Sequence, residues 1–249
     1  LMTAIIAKGK TVITNAAAEP EIQQLCQMLN QMGANISGIG SNTLTIQGVD
    51  SLKSIENIAV IPDRIEAGTF LIAAAAIGEK VKVTNIIPEH LESVVQCLKK
   101  ANVNIKVSDN SITIQSDNKN ISSTNIETNE YPGFPTDLQA QWMMLMCLAN
   151  GTSTIKENIY YDRFTHIMEL NRLGCNIKLE DSVAIIEGDR SLIGADVMST
   201  DIRASAALII AALCAKGTTK ISRVYHIDRG YDKIEEKLTN IGAEIFRKK

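Results

Sequence analysis

The residues best suited to chemistry in this chain are arginines and carboxylates that stand just before predicted helices. One set lies at predicted strand-to-helix turns: Pro62–Gly68 (PDRIEAG), Phe134–Gln141 (FPTDLQAQ) and Thr200–Ser205 (TDIRAS). A second set lies at the turn before the second predicted helix of a repeated unit: Ala18–Glu21 (AEPE), Asp162–Thr165 (DRFT) and Asp228–Tyr231 (DRGY). Guanidinium groups and the free N–H groups of helix N-termini both bind anions. The pattern predicts one cavity for an anionic ligand, lined by Arg64, Arg163, Arg203 and Arg229.

Each of these segments also has a purely structural interpretation. Asp and Thr before a helix are common N-cap residues, and an isolated Asp–Arg pair is often a surface ion pair of small energy. That alternative stays open for any single segment. The occurrence of four arginines at equivalent turns favours the binding site.

The elements that must position these residues come from a repeat of about 70 residues, the signature of one folding unit used several times. A first marker falls at Gly9, Gly78, Gly151 and Gly217, and a second begins at Gly33, Asn102, Gly174 and Gly242. The pattern predicts strand–helix–strand–helix–strand–strand in each copy, with right-handed crossovers. Asn102 replaces glycine because asparagine also tolerates the left-handed conformation expected after a helix.

Individual strands, helices and connections can be predicted within the copies. Tail hairpins are predicted at Asn35–Gln47, Asn104–Gln115 and Asn176–Glu187. In the last copy we predict a buried helix over Arg203–Lys216, a β-rich stretch at Thr218–Val224, an amphipathic helix over Asp228–Ile241 and a strand from Glu244 to Arg247. Ser51–Ile61 is predicted to be a connection, and Asp117–Pro135 a polar loop.

Composition narrows the class of protein. The chain has 249 residues, of which 45% are hydrophobic and only 4% aromatic, so its core is predicted to be aliphatic. A net charge of −3 argues against a broad nucleic-acid surface. Four of the five cysteines stand in apolar runs, and none has metal-ligand spacing, so we predict reduced thiols in a cytoplasmic protein. No apolar run reaches the ~20 residues of a membrane span. Neither a metal site nor a Gly-rich phosphate loop is predicted.

Four segments together resemble the UDP-N-acetylglucosamine 1-carboxyvinyltransferases, which are enolpyruvyl transferases of peptidoglycan synthesis: Pro62–Phe70, Phe134–Gln141, Thr200–Ala206 and Tyr225–Tyr231. The resemblance implies an inside-out α/β barrel built from βαβαββ units. It implies that residues 1–61 end a first domain and residues 62–249 form most of a second. It also implies a missing N-terminal part, with the reactive cysteine and a Lys-Asn pair, so that this chain would be inactive alone.

The resemblance assigns roles to individual residues. Asp137 matches the base and sugar-binding carboxylate, and Asp201 matches a carboxylate beside the reacting centre that would hold Arg203 or accept a proton. Arg203 and Arg229 match arginines that grip the enolpyruvyl carboxylate, and Arg163 lines the same cleft. The remaining matches are a backbone contact at Ile159 and acidic positions at Glu19 and Asp63. A helix N-terminus is expected to lower the pKa of Asp137.

The implied reaction joins phosphoenolpyruvate to the 3′-hydroxyl of UDP-N-acetylglucosamine and releases phosphate, without a cofactor. None of the five cysteines here matches the reactive one. Two alternatives stay open: the related 3-phosphoshikimate 1-carboxyvinyltransferase, which shares the fold, and a non-catalytic repeat scaffold that binds a partner protein. The scaffold would expose a large apolar face and would have no use for the turn arginines.

Overall fold

In the computed structural model, which describes residues 1–116 and 119–248, the chain divides into two units. The small unit comprises Leu1–Pro62 together with Glu130–Gly133. The large unit comprises Asp63–Asn129 and Phe134–Lys249. The inclusion of Glu130–Gly133 in the small unit was not predicted from the sequence. Asp117 and Asn118, which begin the predicted polar loop, lie outside the described residues.

The small unit packs helices against one face of an antiparallel sheet. Its elements are α1 (Met2–Ile5), β1 (Lys10–Thr14), α2 (Pro20–Gln31), β2 (Asn35–Ser37) and β3 (Thr43–Gln47). The sheet order is β1-β3-β2, and β3 is antiparallel to both neighbours. Cys26 and Leu29 of α2 face Leu44 and Ile46 of β3 across an aliphatic core. The hairpin predicted over Asn35–Gln47 is therefore confirmed.

The centre of the large unit is formed by α3 (Arg64–Ile77), α5 (Gln139–Leu148) and α7 (Ile202–Cys214), which contact one another. Most of their residues are buried, including every residue from Gln139 to Cys147. A helix that is apolar on nearly all sides must be buried on all sides, so the apolar sequences of these three helices dictate their central position. The buried helix predicted over Arg203–Lys216 is confirmed and ends two residues earlier.

Shorter helices and sheets flank these central helices. They are β4 (Glu79–Thr84), α4 (Glu92–Lys100), β5 (Asn104–Ser108), β6 (Ser111–Ser116), β7 (Ile126–Glu127), β8 (Thr152–Lys156), α6 (Ile167–Arg172), β9 (Asn176–Glu180), β10 (Val183–Glu187), β11 (Asp196–Met198), β12 (Lys220–Ser222) and α8 (Ile234–Asn240). The sheet orders are β4-β6-β5, β7-β8-β10-β9 and β11-β12. Short 3-10 helices cover Pro88–Leu91, Thr136–Leu138 and Val224–Arg229.

Parallel pairing occurs where a strand precedes a central helix. Strand β7 is parallel to β8, with Ile126 opposite Ile155, and β11 is parallel to β12, with Val197 opposite Ile221. Parallel neighbours need a crossover, which the central helices α5 and α7 supply. The tail hairpins β5–β6 and β9–β10 are antiparallel, as predicted. Asn102 has φ +64°, the left-handed conformation predicted for it.

Three local predictions were wrong. Residues 126–127, predicted as loop, pair with β8 because Ile126 is buried beside that strand. The helix predicted over Asp228–Ile241 begins only at Ile234, after Lys233 at φ +47°, and Ile241 is 63% exposed instead of packed. In the described range up to Lys248, Glu244–Arg247 forms no strand. The guanidinium of Arg247 instead pairs with Asp228 and Glu235.

Candidate functional site

Equivalent acidic residues stand at the N-terminal ends of the central helices. Asp63 precedes α3, and its Oδ1 accepts hydrogen bonds from the backbone N–H groups of Ile65 (2.7 Å) and Glu66 (3.0 Å). Asp201 precedes α7, and its Oδ1 accepts from Arg203 N (2.8 Å) and Ala204 N (2.9 Å). Both carboxylates are N-caps, so the structural interpretation of the charged turns applies to them.

Asp137 holds the corresponding place before α5 but binds side chains instead of the helix end. Its Oδ1 lies 2.7 Å from Nη1 of Arg163, and its Oδ2 lies 3.3 Å from Nη2 of Arg203. The side chains of Asp137, Arg163 and Arg203 are 34%, 23% and 16% exposed, so solvent screens the cluster only in part. Asp137 therefore joins two guanidinium groups that come from different copies of the repeat.

Packing beneath the short turn fixes the position of Asp137. Leu138 is fully buried and lies against α3 at Gly68, where an added Cβ would come within 2.4 Å of Leu138 Cδ1. Phe134 is buried against the edge of Trp142, with ring centroids 5.5 Å apart. The glycine of the Pro62–Gly68 segment thus has a steric function, because it lets the turn that carries Asp137 approach the helix.

The arginines keep Asp137 ionised. Burial by itself would raise the pKa of this carboxyl, but the charges of Arg203 and Arg163 and their hydrogen bonds outweigh burial and lower it below its usual value. The direction agrees with the sequence-based expectation, but the cause does not. Asp137 lies in a single turn of 3-10 helix and is stabilised by the guanidinium groups of Arg163, from its own copy of the repeat, and Arg203, from the next copy.

Arg163 is held by two supports besides Asp137. Its Nη1 donates to Thr136 Oγ1 at 3.0 Å, and its guanidinium carbon lies 5.7 Å from the ring centroid of Tyr160. Thr136 Oγ1 in turn donates to Glu157 Oε2 at 2.9 Å. Glu157, which directly follows β8, is fully buried. Sequence reasoning missed Glu157, because a glutamate beside the polar sequence Asn158–Tyr160 is typical of an exposed turn.

Arg203 extends from the first turn of α7 toward a buried polar cluster. Burial lowers the pKa of Arg203, but the charge of Asp137 and the neighbouring Tyr231 raise it above its usual value. The Tyr231 hydroxyl lies 2.8 Å from Thr69 Oγ1. Thr69 donates to the carbonyl of Ile65, so the tyrosine hydroxyl is the donor in that pair. Gln141 Nε2 donates to Thr69 Oγ1 at 3.0 Å, which links α3 and α5.

His166 lies close enough to Asp201 and Arg163 for their charges to affect its pKa. It is buried, and burial lowers its pKa to about 4; the charge of Asp201 works against this lowering and that of Arg163 adds to it. The imidazole is therefore neutral near pH 7.

The other predicted site residues are distributed differently. Arg229 ends the 3-10 turn Val224–Arg229, is exposed, and makes no ion pair with residues 1–116 or 119–248. The backbone N–H of Ile159 donates to Glu157 Oε1 at 2.9 Å. Arg64 begins α3. Glu19 belongs to the small unit, where it precedes α2, and its buried Oε2 has no hydrogen-bond partner among the described residues.

Four of the five cysteines have a pKa above the usual value of a thiol. All five are free thiols. Burial raises the pKa of Cys26 and Cys97, and it raises that of Cys214 to about 12. A hydrogen bond with Cys175, followed by burial, raises the pKa of Cys147 well above its usual value. Since the thiolate is the reactive form, these four side chains are poorly suited to attack an electrophile.

The arrangement suits an anionic ligand and a proton transfer. Two guanidinium groups can bind a carboxylate or phosphate, and an ionised Asp137 can accept a proton from a positioned hydroxyl. Among the described residues, no three His, Cys, Asp or Glu side chains come together as a metal site would require. Within the same part of the chain, no helix is both long enough and apolar enough to cross a membrane.

Sequence relatives cover almost the whole chain. A UDP-N-acetylglucosamine 1-carboxyvinyltransferase of Chlorobaculum parvum is 53% identical over 247 residues, which are 99% of this chain and 58% of the relative. The enzyme of the same name from Chlorobium luteolum is 51% identical over the full chain, again 58% of the relative. The chain therefore spans somewhat more than half the length of the curated relatives that it matches.

A solved structure and a family comparison also show similarity to enolpyruvyl transferases. The enolpyruvyl transferase NikO from Streptomyces tendae matches with a TM-score of 0.90 and 26% identity, over 98% of this chain and 58% of the other. The predicted α/β fold of the enolpyruvyl transferase type is thereby confirmed. A sequence model of the EPSP synthase (3-phosphoshikimate 1-carboxyvinyltransferase) family matches residues 1–238. The chain belongs to this family of enolpyruvyl transferases.

Proposed function

We propose that the chain is the Asp137-bearing portion of a UDP-N-acetylglucosamine 1-carboxyvinyltransferase, an enzyme of peptidoglycan synthesis. The observation that carries the proposal is the carboxylate of Asp137 held between Arg163 and Arg203, within 2.7 and 3.3 Å. The names and high identity of the relatives support the choice of UDP-N-acetylglucosamine and phosphoenolpyruvate as substrates.

The reaction begins with addition. The 3′-hydroxyl oxygen of the sugar bonds to C2 of phosphoenolpyruvate, the hydroxyl proton leaves, and a proton adds to the methylene carbon. Elimination then breaks the C2–O bond to phosphate and removes one proton from the former methylene carbon. Phosphate leaves, and the enolpyruvyl ether remains. The chemistry requires a base near the hydroxyl and cations near the carboxylate and phosphate.

Asp137 is the base in this proposal. Its low pKa makes it a weak base in the free protein, so its contribution comes from its position and from loss of water when substrate binds. Arg203 and Arg229 bind the carboxylate of the enolpyruvyl donor, and Arg163 lines the cleft. Asp201 caps α7 and thereby orients the turn that carries Arg203. Asp63 has the same capping function at α3.

Other residues have smaller parts in this assignment. Ile159 provides a backbone contact to the nucleotide-sugar, and Glu19 an acidic group of the small unit. The resemblance implies that the reactive cysteine of such enzymes lies in a part of the enzyme that this chain does not include. We therefore expect the 249-residue chain to be inactive by itself.

Turnover by the full-length enzyme tests the assignment of Asp137. We expect Asp137→Asn to slow formation of the enolpyruvyl nucleotide-sugar by roughly 100- to 10,000-fold, the usual worth of a general base, while nucleotide-sugar binding persists. The matched control is Asp181→Asn in the β9–β10 turn, where φ is +53° and asparagine is well tolerated. A wild-type rate in Asp137→Asn would remove this residue from the mechanism.

Ligand-induced stabilisation separates the two enolpyruvyl transferases of the family. UDP-N-acetylglucosamine should raise the melting temperature of the full-length protein, and shikimate 3-phosphate should not. The second candidate, a 3-phosphoshikimate 1-carboxyvinyltransferase, is favoured by the description of the matching family alone. The opposite pattern of stabilisation would establish that candidate instead.

A further inference from the structure

We propose that Glu157 is a positioning residue, which holds Thr136 and the turn Asn158–Tyr160 so that Arg163 faces Asp137. The catalytic consequence of this proposal rests on the proposed function, but the positioning itself does not. The Glu157 carboxylate does not contact any of the side chains to which the resemblance assigns a chemical role. It acts on Arg163 through both of the groups that support that arginine.

The hydrogen bonds of Glu157 converge on one buried carboxylate. Its Oε1 accepts from Thr128 Oγ1 at 2.6 Å, from Ile159 N at 2.9 Å and from Tyr160 N at 3.0 Å. Its Oε2 accepts from Thr136 Oγ1 at 2.9 Å. A side chain that accepts four hydrogen bonds and donates none has the pattern of an ionised carboxylate. Such bonds are stronger than those between neutral groups and fix their partners firmly.

Two of these bonds lead directly to Arg163. Thr136 has a single hydroxyl proton, which it donates to Glu157, so its oxygen is left as an acceptor for Nη1 of Arg163 at 3.0 Å. Tyr160 is held through its backbone N–H, and its ring lies 5.7 Å from the guanidinium carbon. The carboxylate therefore sets both the direction of the threonine hydroxyl and the place of the tyrosine ring.

A competing explanation is that Glu157 affects Asp137 only as a nearby negative charge. The two explanations predict opposite signs. Neutralising Glu157 removes a negative charge, which by Coulomb's law alone would lower the pKa of Asp137. Loss of the alignment of Arg163 removes part of the positive charge that stabilises Asp137, which would raise that pKa. The sign of the change therefore identifies the mechanism.

The test measures the pKa of Asp137 by carbon-detected NMR titration of the full-length protein and its variants. In Glu157→Gln, the amide oxygen takes the place of Oε1, which accepts three hydrogen bonds, and the amide nitrogen faces Thr136. That nitrogen donates and does not accept, so the Thr136 hydroxyl must donate its hydrogen bond to another acceptor. We expect a rise of about 0.5–1 pH unit, given the 1–3 units that an adjacent opposite charge usually contributes. Thr136→Val should give a similar rise, and Thr136→Ser, which keeps the hydroxyl, should give none.

Some pKa results would contradict the positioning of Arg163 by Glu157. A fall or no change in Glu157→Gln would refute positioning, and so would an unchanged value in Thr136→Val. If Glu157→Gln fails to fold, Thr136→Val and Tyr160→Ala decide the matter, because Thr136 is half-buried and Tyr160 is exposed. In that case a rise in both variants supports the proposal, and an unchanged value in Thr136→Val overturns it.

Steady-state kinetics give a second, independent measurement. If the proposed function holds, Glu157→Gln should lower kcat about tenfold with little change in KM for the nucleotide-sugar, because the altered contact lies behind Arg163. An equal loss in Thr136→Val and recovery in Thr136→Ser would support the same pathway. Absence of turnover in the wild-type protein would refute the proposed function. The positioning of Arg163 by Glu157 would then be tested by the titration of Asp137 alone.

Discussion

Mild acid should destabilise this protein through His166. The imidazole is buried, and burial lowers its pKa from 6.5 to about 4, although the charge of Asp201 opposes this and that of Arg163 adds to it. Between these two values the unfolded chain binds a proton that the folded chain does not. Unfolding therefore takes up protons, and the free energy of unfolding rises with pH over the window from about 4 to 6.5.

The size of the effect follows from the two pKa values. Each pH unit of difference is worth about 1.4 kcal/mol, so the full contribution below pH 4 is about 3 kcal/mol. From pH 7 to pH 5 the loss is about 2 kcal/mol, because the unfolded imidazole is almost fully protonated at pH 5 and the folded one is mostly neutral. A change of this size is a large part of the stability of an ordinary domain.

Urea denaturation followed by circular dichroism at pH 7 and pH 5 measures this loss. The matched variant is His166→Gln, which is neutral at both values, and in it the loss should shrink by about 2 kcal/mol. The urea dependence should be the same at both pH values, as expected when folded-state stability alone changes. An equal loss in the wild type and in His166→Gln would refute this account.

Three further substitutions test the packing and capping around the site by urea denaturation. Gly68→Ala should destabilise the protein by up to about 2 kcal/mol, since the new methyl group meets Leu138 at 2.4 Å and overpacking of about 1–3 kcal/mol exceeds the gain of about 1 kcal/mol in helix propensity; a stabilised variant would contradict this. Tyr231→Phe should cost about 1–2 kcal/mol through the lost bond to Thr69, and an unchanged midpoint would show that the cluster adds nothing. Asp201→Ala should cost about 1 kcal/mol as a lost N-cap, whereas neutrality would argue against capping.

Elements whose residues are set by local preference could be predicted well from the sequence. The alanine- and isoleucine-rich run in α7 specifies a buried helix, and Asn102 adopts the left-handed φ of +64° that its position after a helix requires. The hairpins β5–β6 and β9–β10 follow from alternating β-formers around short turns. These features depend on contacts within a few residues, so a short stretch of sequence contains the necessary information.

Elements that depend on partners elsewhere could not be predicted. Residues 126–127 form a strand only because β8 lies beside them. The stretch Glu244–Arg247 has the residues of a strand, but its arginine is drawn to Asp228 and Glu235 instead. A β-ladder needs a second strand at the right distance, and β-propensity alone does not supply one.

The sequence by itself determined that aspartates stand at equivalent helix starts and that arginines accompany them. Tertiary structure decided which aspartate is different. Asp63 and Asp201 bind N–H groups two and three residues ahead, a local interaction. Asp137 instead binds Arg163, 26 residues further along its own copy of the repeat, and Arg203 of the next copy. Glu157 likewise became visible only in three dimensions, because its value lies in donors gathered from Thr128 and Thr136. Spacing along the chain specifies what a side chain can reach locally, but long-range packing specifies which charges it meets.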